Sequence, residues 1–187
     1  VLSSPSGAVQ DSISTGTMLG DISRGRQPDG GPDWVFFGEP TPGNANVTAG
    51  YSGVLEPPYL SQLGSPFSNP GTITMSTATP DAEVYYTTDG SYPDDSSQLY
   101  EGYIYVDDNT ILRAIATKQG WLNSRPNTQS YLFDYAGELP VVSLSTNPDH
   151  FWDNDSGIYV LGPNASSDFP YFGANFWQDW ERPIHIE

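Results

Sequence analysis

The chain has 187 residues, and 23 acidic side chains against six basic ones give it a formal net charge of −17. A surface of this charge repels nucleic-acid phosphates and anionic lipid, so the sequence predicts neither as a partner. No run approaches the roughly 18 consecutive apolar residues of a membrane-spanning helix, and the absence of Cys excludes a disulfide framework and a thiolate metal site.

Composition also bears on the class of protein and its location. The 19 Gly and 17 Pro are spread along the whole chain, which favours several short-stranded units over one large domain. High acidity, a single Lys and many small polar residues are typical of an extracellular or cell-surface bacterial protein. The chain starts without Met and stops on a predicted strand, so we expect both ends to continue in a longer parent protein.

The first two segments are predicted from strand and turn signals. Residues 1–46 have weak strand signals near their start and then an aromatic run, Trp34-Val35-Phe36-Phe37. Residues 47–55 are small and polar, and the chain then continues into Glu56-Pro57-Pro58. Consecutive prolines stiffen the chain and cannot donate to a strand ladder, so 47–55 is predicted to be a linker.

The middle block, residues 56–134, has the clearest pattern. Residues 72–77 alternate polar with apolar side chains, as a strand with one face on a core does. Four further short strands are predicted at 84–87, 103–106, 110–116 and 129–133. Short strands separated by regular turns predict an all-β fold with a small immunoglobulin-like β-sandwich in this block.

The third block, residues 135–187, is predicted to be an incomplete β-rich module. Strands are expected at 141–144 and 158–161, with the turn-rich segment 153–157 between them. A dense group of aromatic residues follows, which we expect to pack against further chain of the same block: Phe169, Tyr171, Phe172, Phe176, Trp177 and Trp180.

The middle block resembles the chitobiase/β-hexosaminidase C-terminal-like domain. The resemblance rests on a strand that runs into a hairpin turn at 84–93, the strand at 110–116, the turn Gln119-Gly120-Trp121 and the closing segment 124–131. It implies a small β-sandwich of the kind appended to many secreted bacterial enzymes and surface proteins.

The flanking blocks carry local resemblances of their own. Residues 1–46 resemble the C-terminal part of a lamin-tail domain, with an Arg-rich turn at 23–30, an aromatic strand at 33–37 and a Thr-Pro-Gly close at 41–46. Residues 135–187 resemble the start of a CotH-type domain, a spore-coat family with a divergent kinase fold, at 139–144, 157–160 and 180–183. This order of modules implies a large secreted bacterial protein.

Aromatic side chains are the main candidates for ligand binding. Trp121 and Tyr92 lie in predicted turns, where an exposed ring could stack on a sugar. The alternative interpretation is that the aromatic residues fill small cores, as the alternating Tyr103 and Tyr105 would do. Trp121 and Tyr92 are therefore the candidate carbohydrate-binding residues.

A calcium site is the second candidate. Asp153, Asp155 and Gly157 form an Asp-x-Asp-x-Gly run that could supply oxygen ligands to Ca²⁺. The bidentate Glu that completes a calcium loop does not follow, and hydrogen bonds within an Asx-rich turn explain the same residues. His150 and His185 are 35 positions apart and add no recognisable ligand spacing.

The sequence indicates no catalytic residues. A phosphotransferase needs a cationic clamp, a phosphate loop and carboxylate metal ligands, but the one Lys is Lys118 of the middle block. No Gly-x-Ser-x-Gly motif indicates a serine hydrolase. The sequence therefore predicts a non-catalytic accessory or adhesion segment, which spaces other modules of its parent chain and contacts a polysaccharide or cell-surface glycan. Two alternatives stay open: the N-terminal region of a CotH-type kinase whose catalytic residues lie beyond Glu187, and a calcium-stabilised stalk.

Overall fold

A computed structural model describes residues 1–14, 16, 18–67, 69–133, 135, 137 and 139–187, with backbone alone at 65–67. The predicted end of the middle block, Asp134, is outside these residues. The fold is nearly all β, with 30% strand and 4% helix, so the all-β prediction is confirmed. The chain divides into two compact units: Val1–Val54 with Gln119–Leu122, and Leu55–Lys118 with Asn123–Glu187.

The first unit is built from two antiparallel strand pairs. These pairs are β1 (Leu2–Ser3) with β2 (Val9–Asp11), and β3 (Ser23–Arg26) with β4 (Trp34–Phe37). The start of the predicted Arg-rich turn is thus a strand. Its register sets Arg26 opposite Trp34, and the guanidinium lies 4.6 Å from the Trp34 ring centroid. Arg26 also forms a 2.8 Å salt bridge with Asp11, which ties β3 to β2.

The second unit contains the β-sandwich. Its strands are β5 (Tyr59–Leu60), β6 (Ser65–Phe67), β7 (Gly71–Ile73), β8 (Met75–Ser76), β9 (Glu83–Thr87), β10 (Gln98–Leu99), β11 (Ile104–Val106), β12 (Thr110–Thr117) and β13 (Asn127–Phe133). Five of them form one sheet in the order β10-β9-β12-β13-β6, in which β13 and β6 are parallel and the other pairs are antiparallel.

The remaining sandwich strands lie opposite this sheet. β7 pairs with β11 and β8 pairs with β5, and Thr74 alone separates β7 from β8. Ser61 N donates to Thr74 O at 2.9 Å, which continues the β5–β8 pairing up to the junction. The alternation predicted for 72–77 is present: Ile73 and Met75 are buried, whereas Thr72, Thr74 and Ser76 are exposed.

The core lies between these two layers. One cluster contains Ile73, Met75, Val84, Tyr86, Ile104, Val106, Leu112, Ala114 and Tyr131. Tyr131 is fully buried and its hydroxyl donates to Gln62 O at 2.9 Å, so its polar end is satisfied. Burial raises the pKa of Tyr131 to about 12. Residues of both layers thus close one continuous apolar core.

The chain after the sandwich has little regular structure. β14 (Leu144–Ser145) pairs with β15 (His185–Ile186), and α1 (Asp149–Trp152) and a 3₁₀ turn (Asn175–Trp177) lie between them. The predicted strand at 158–161 is wrong. Ile158 N donates to His150 O and Tyr159 N donates to Phe151 O, each at 2.9 Å, so this segment folds back as a turn onto α1.

The core makes a stability prediction. We expect Leu112→Ala to lower the free energy of unfolding by about 3 kcal/mol, because it removes a fully buried side chain and leaves a cavity. The matched control is Leu63→Ala, since Leu63 is largely exposed and its truncation should cost less than about 0.5 kcal/mol. Urea denaturation measures both. Equal effects of the two variants would contradict the assignment of Leu112 to the core.

Candidate functional site

Tyr92 lies on the loop that follows β9, and its side chain is 51% exposed. Hydrogen bonds fix the loop backbone immediately before Tyr92. Asp89 Oδ1 accepts from Ser91 N at 2.9 Å and from Ser91 Oγ at 2.6 Å, and Thr87 Oγ1 donates to Ser91 O at 2.7 Å. Gly90 has a φ of +83°, a conformation that side-chain-bearing residues rarely adopt. The Asp89-Gly90 turn therefore presents Tyr92 from a well-defined backbone.

Arg113 supports Tyr92 from the sheet. Its side chain is 8% exposed, its Nη1 donates to Gly90 O at 2.9 Å, and its guanidinium carbon lies 5.3 Å from the Tyr92 ring centroid. Burial lowers the pKa of Arg113. Within the described residues, Nε of Arg113 has no hydrogen-bond partner. The guanidinium thus lies against the Tyr92 ring, where a cation is favoured by the ring electrons.

Trp121, the other predicted aromatic contact, is half-buried and belongs to the first unit. Its ring packs on the backbone of Gly53, where an added Cβ would lie 2.4 Å from a ring carbon. Ser52 N donates to Gly120 O and Leu122 N donates to Gly53 O, each at 2.9 Å, which fixes the turn around the ring. Trp121 therefore contributes to the packing of its unit, and Tyr92 of the second unit is a separate candidate.

Asp153 and Asp155, the predicted calcium ligands, lie in the exposed turn after α1. Asp153 Oδ1 accepts from Asp155 N at 3.0 Å and from Ser156 N and Ser156 Oγ at 2.8 Å each. These bonds, with the Ser156 hydroxyl first, hold the pKa of Asp153 below its usual value. Across the described parts of the chain, no three His, Asp or Glu side chains form a group that could hold a metal ion.

The histidines are placed by separate contacts. His150 Nδ1 lies 2.6 Å from Thr146 Oγ1, and the same hydroxyl donates to Pro183 O at 2.7 Å. Because Thr146 Oγ1 donates its one proton to Pro183 O, it accepts the hydrogen bond from His150 Nδ1, which is therefore the protonated ring nitrogen. His185 lies on β15, where Nε2 is buried and has no hydrogen-bond partner among the described atoms. His150 therefore joins α1 to the segment that precedes β15.

The structure exposes two tyrosines that the alternative interpretation of the sequence placed in a small core. Tyr103 and Tyr105 are 71% and 59% exposed, whereas Ile104 and Val106 are buried, so the expected inward direction of the two tyrosines is wrong. Tyr59 on β5 is also 62% exposed. The alternation in 103–106 was visible in the sequence, but the pattern alone did not decide which pair of side chains faces the core.

The aromatic residues of the third block are also exposed to a large extent. Phe169 and Phe172 are largely exposed to solvent. Trp177 packs partly on Phe172, with the two ring centroids 5.9 Å apart. Near α1, Trp152 and Tyr159 have centroids 5.6 Å apart. The expectation that this group packs against further chain stays a prediction.

The hydrogen bonds to Asp89 predict a specific pH dependence. The Ser91 hydroxyl and backbone N–H hold the pKa of Asp89 below its usual value. A carboxyl group with a lowered folded-state pKa contributes stability at pH values above its unfolded pKa, and that stability is lost as pH falls through the folded pKa. We therefore expect the melting temperature to fall less steeply between about pH 5 and pH 2 for Asp89→Asn than for the wild type.

Asp95→Asn is the control for this measurement, because Asp95 is an exposed carboxylate in the neighbouring loop. The melting temperature of Asp95→Asn should fall with pH as steeply as that of the wild type. An Asp89→Asn profile parallel to the wild type would show that the Asp89–Ser91 contacts do not stabilise the folded chain.

Comparison with known proteins identifies part of the sandwich. Residues 63–130 match the family model of the chitobiase/β-hexosaminidase C-terminal domain, an immunoglobulin-like accessory domain of carbohydrate-active enzymes. No curated protein and no solved structure matches the chain. The lamin-tail and CotH resemblances of the flanking blocks stay predictions, and the resemblance of the middle block to the chitobiase/β-hexosaminidase C-terminal domain is confirmed over residues 63–130.

Proposed function

We propose that the chain is a non-catalytic accessory segment of an extracellular or cell-surface bacterial protein. Its sandwich spaces neighbouring modules of the same parent chain and holds a polysaccharide or cell-surface glycan. The observation that carries this proposal is the match of residues 63–130 to an accessory domain of carbohydrate-active enzymes. The exposed ring of Tyr92 is the contact that the sequence and the site geometry both favour.

The rigidity of the Tyr92 loop supports a binding role. A side chain that is mobile in the free protein loses conformational freedom on binding, and this loss weakens the complex. For Tyr92 this loss of conformational freedom on binding is smaller, because Arg113 lies against its ring and the Asp89–Ser91 hydrogen bonds hold the preceding turn in the free protein. A sugar ring can then stack on the exposed part of Tyr92 without ordering the loop first.

The ionisation of three turn carboxylates makes these residues unsuitable as general acids at neutral pH. A general acid at neutral pH needs a raised pKa, which burial or a like charge provides. Asp89, Asp94 and Asp153 instead have lowered pKa values, because serine hydroxyls and backbone N–H groups donate to each carboxylate. These acidic residues are engaged as turn-forming acceptors.

Trp121 is assigned a different role from Tyr92 within this proposal. Its ring fills the space beside Gly53, where no side-chain atom could be accommodated without displacing the ring. Trp121→Ala should therefore destabilise the first unit through lost packing, by about 2 kcal/mol, which is less than for a fully buried aromatic residue because Trp121 is half-buried. A loss of ligand binding by Trp121→Ala can be interpreted only if the free energy of unfolding of this variant is measured as well.

Retention of the whole chain on insoluble polysaccharides tests the proposal. We expect the wild type to be retained on at least one polymer, and Tyr92→Ala to bind it about tenfold more weakly, a loss of roughly 1.4 kcal/mol. Tyr92→Phe is the matched control, because it keeps the ring and removes only the hydroxyl, and it should bind like the wild type.

Two results would count against this account. Equal retention of Tyr92→Ala and wild type would remove Tyr92 from the binding site. Failure of the wild type to bind any polymer would overturn the glycan-binding half of the proposal and leave the spacing role alone.

A further inference from the structure

Strand pairing shows which residues lie on the outer face of the two-stranded sheets β7–β11 and β5–β8. Directly opposed residues of an antiparallel pair project to the same face of a sheet. Tyr59 is opposite Ser76, and Tyr105 is opposite Thr72. Together with Thr74 at the junction of β7 and β8, these residues form one exposed surface, here called the tyrosine face: Tyr59, Thr72, Thr74, Ser76 and Tyr105.

The tyrosine face is held rigidly from behind. The residues that alternate with it, Ile73, Met75, Ile104 and Val106, belong to the buried core cluster. Each tyrosine of the face is also on a paired strand, and each is more than half exposed. The two rings are therefore presented to solvent from a backbone that is fixed on its other side, which lowers the ordering cost of binding.

The spacing of the rings indicates an extended ligand. Tyr59 and Tyr105 are opposite Ser76 and Thr72, which are four positions apart along β7 and β8. At about 3.3 Å per residue, this offset is about 13 Å along the strand direction. A single pyranose ring cannot reach both tyrosines at that separation, whereas a chain of several sugar units can.

The charge of the face indicates a neutral ligand. The chain has a formal charge of −17, yet the tyrosine face consists only of tyrosine, threonine and serine side chains. A neutral surface of rings and hydroxyls complements a polymer whose units have apolar ring faces and hydroxyl groups but no charge. Acidic polymers and anionic protein surfaces are instead disfavoured by the overall negative charge. The same charge opposes the pairing of two copies of this chain through the face.

We propose that the tyrosine face is a binding platform for a neutral polysaccharide, with Tyr59 and Tyr105 each stacked on a sugar ring of one polymer chain. The hydroxyls of Thr72, Thr74 and Ser76 between them donate and accept hydrogen bonds to the sugar hydroxyls. This inference rests on the proposed glycan-binding function and assigns it a ligand class and a second surface, separate from Tyr92.

Binding isotherms of the full chain test the platform. Insoluble cellulose and chitin are the neutral probes, and alginate and pectin gels are the acidic ones. The test variant is Tyr59→Thr/Tyr105→Thr, because threonine retains a high strand propensity at both positions. We expect the wild type to bind a neutral polymer and the double variant to bind it at least about tenfold more weakly. Tyr105→Trp, which keeps a stacking ring, should bind like the wild type.

Matched controls separate binding from folding and self-association. The double variant should keep a melting temperature close to that of the wild type, since both tyrosines are exposed. Sedimentation should show a monomer for both proteins. A concentration-dependent dimer that the double variant abolishes would overturn the platform and assign the face to a second copy of the chain.

The remaining outcomes distinguish this inference from the proposed function. Wild-type binding that Tyr92→Ala removes and the double variant retains would overturn the platform and leave glycan binding by Tyr92. Wild-type binding restricted to the acidic polymers would also overturn it. No binding of the wild type to any polymer would overturn both proposals together.

Discussion

The closure of the sandwich core depends on the inward packing of β7 and β11 against β12 and β13. Ile73 and Leu112 are fully buried, and Ile104 and Tyr131 belong to the same cluster. Since strand side chains alternate between the two faces of a sheet, burial of the apolar residues commits their neighbours to solvent. The exposed positions of Tyr105 and Thr72 follow from this packing.

The same sheet supports the Tyr92 loop. The pairing of β12 with β9 sets Arg113 opposite Thr87, just before the Asp89-Gly90 turn. This register brings Nη1 of Arg113 to Gly90 O and the guanidinium to the Tyr92 ring. Both aromatic surfaces of the second unit therefore depend on one core, although they use different strands to present their rings.

Sequence patterns predicted the parts of the fold that depend on local periodicity. The alternation at 72–77 was readable because polar and apolar side chains mark the two faces of that strand, and β12 was readable from its run of apolar and β-branched residues. The segment 103–106 was ambiguous, since Tyr and Ile or Val are all strand-forming and either pair could point inward. In the structure Ile104 and Val106 are buried, and Tyr103 and Tyr105 are exposed.

Contacts between distant parts of the chain could not be predicted from the sequence. Trp121 packs on Gly53, which no local pattern connects with it. Residues 158–161 have the composition of a strand, but hydrogen bonds from Ile158 and Tyr159 to α1 fold them into a turn. The support of Tyr92 by Arg113 also arises from strand register, which a single sequence does not specify.

The phase of the β11 alternation is the central claim, and a soluble paramagnetic probe tests it directly by NMR. The probe broadens the signals of solvent-exposed rings and spares buried ones. The account predicts strong broadening of the Tyr59 and Tyr105 ring signals and little broadening of the Tyr131 ring, which is fully buried. Protection of the Tyr105 ring together with exposure of the Ile104 and Val106 methyl groups would mean a one-residue slip of register, and it would contradict the account.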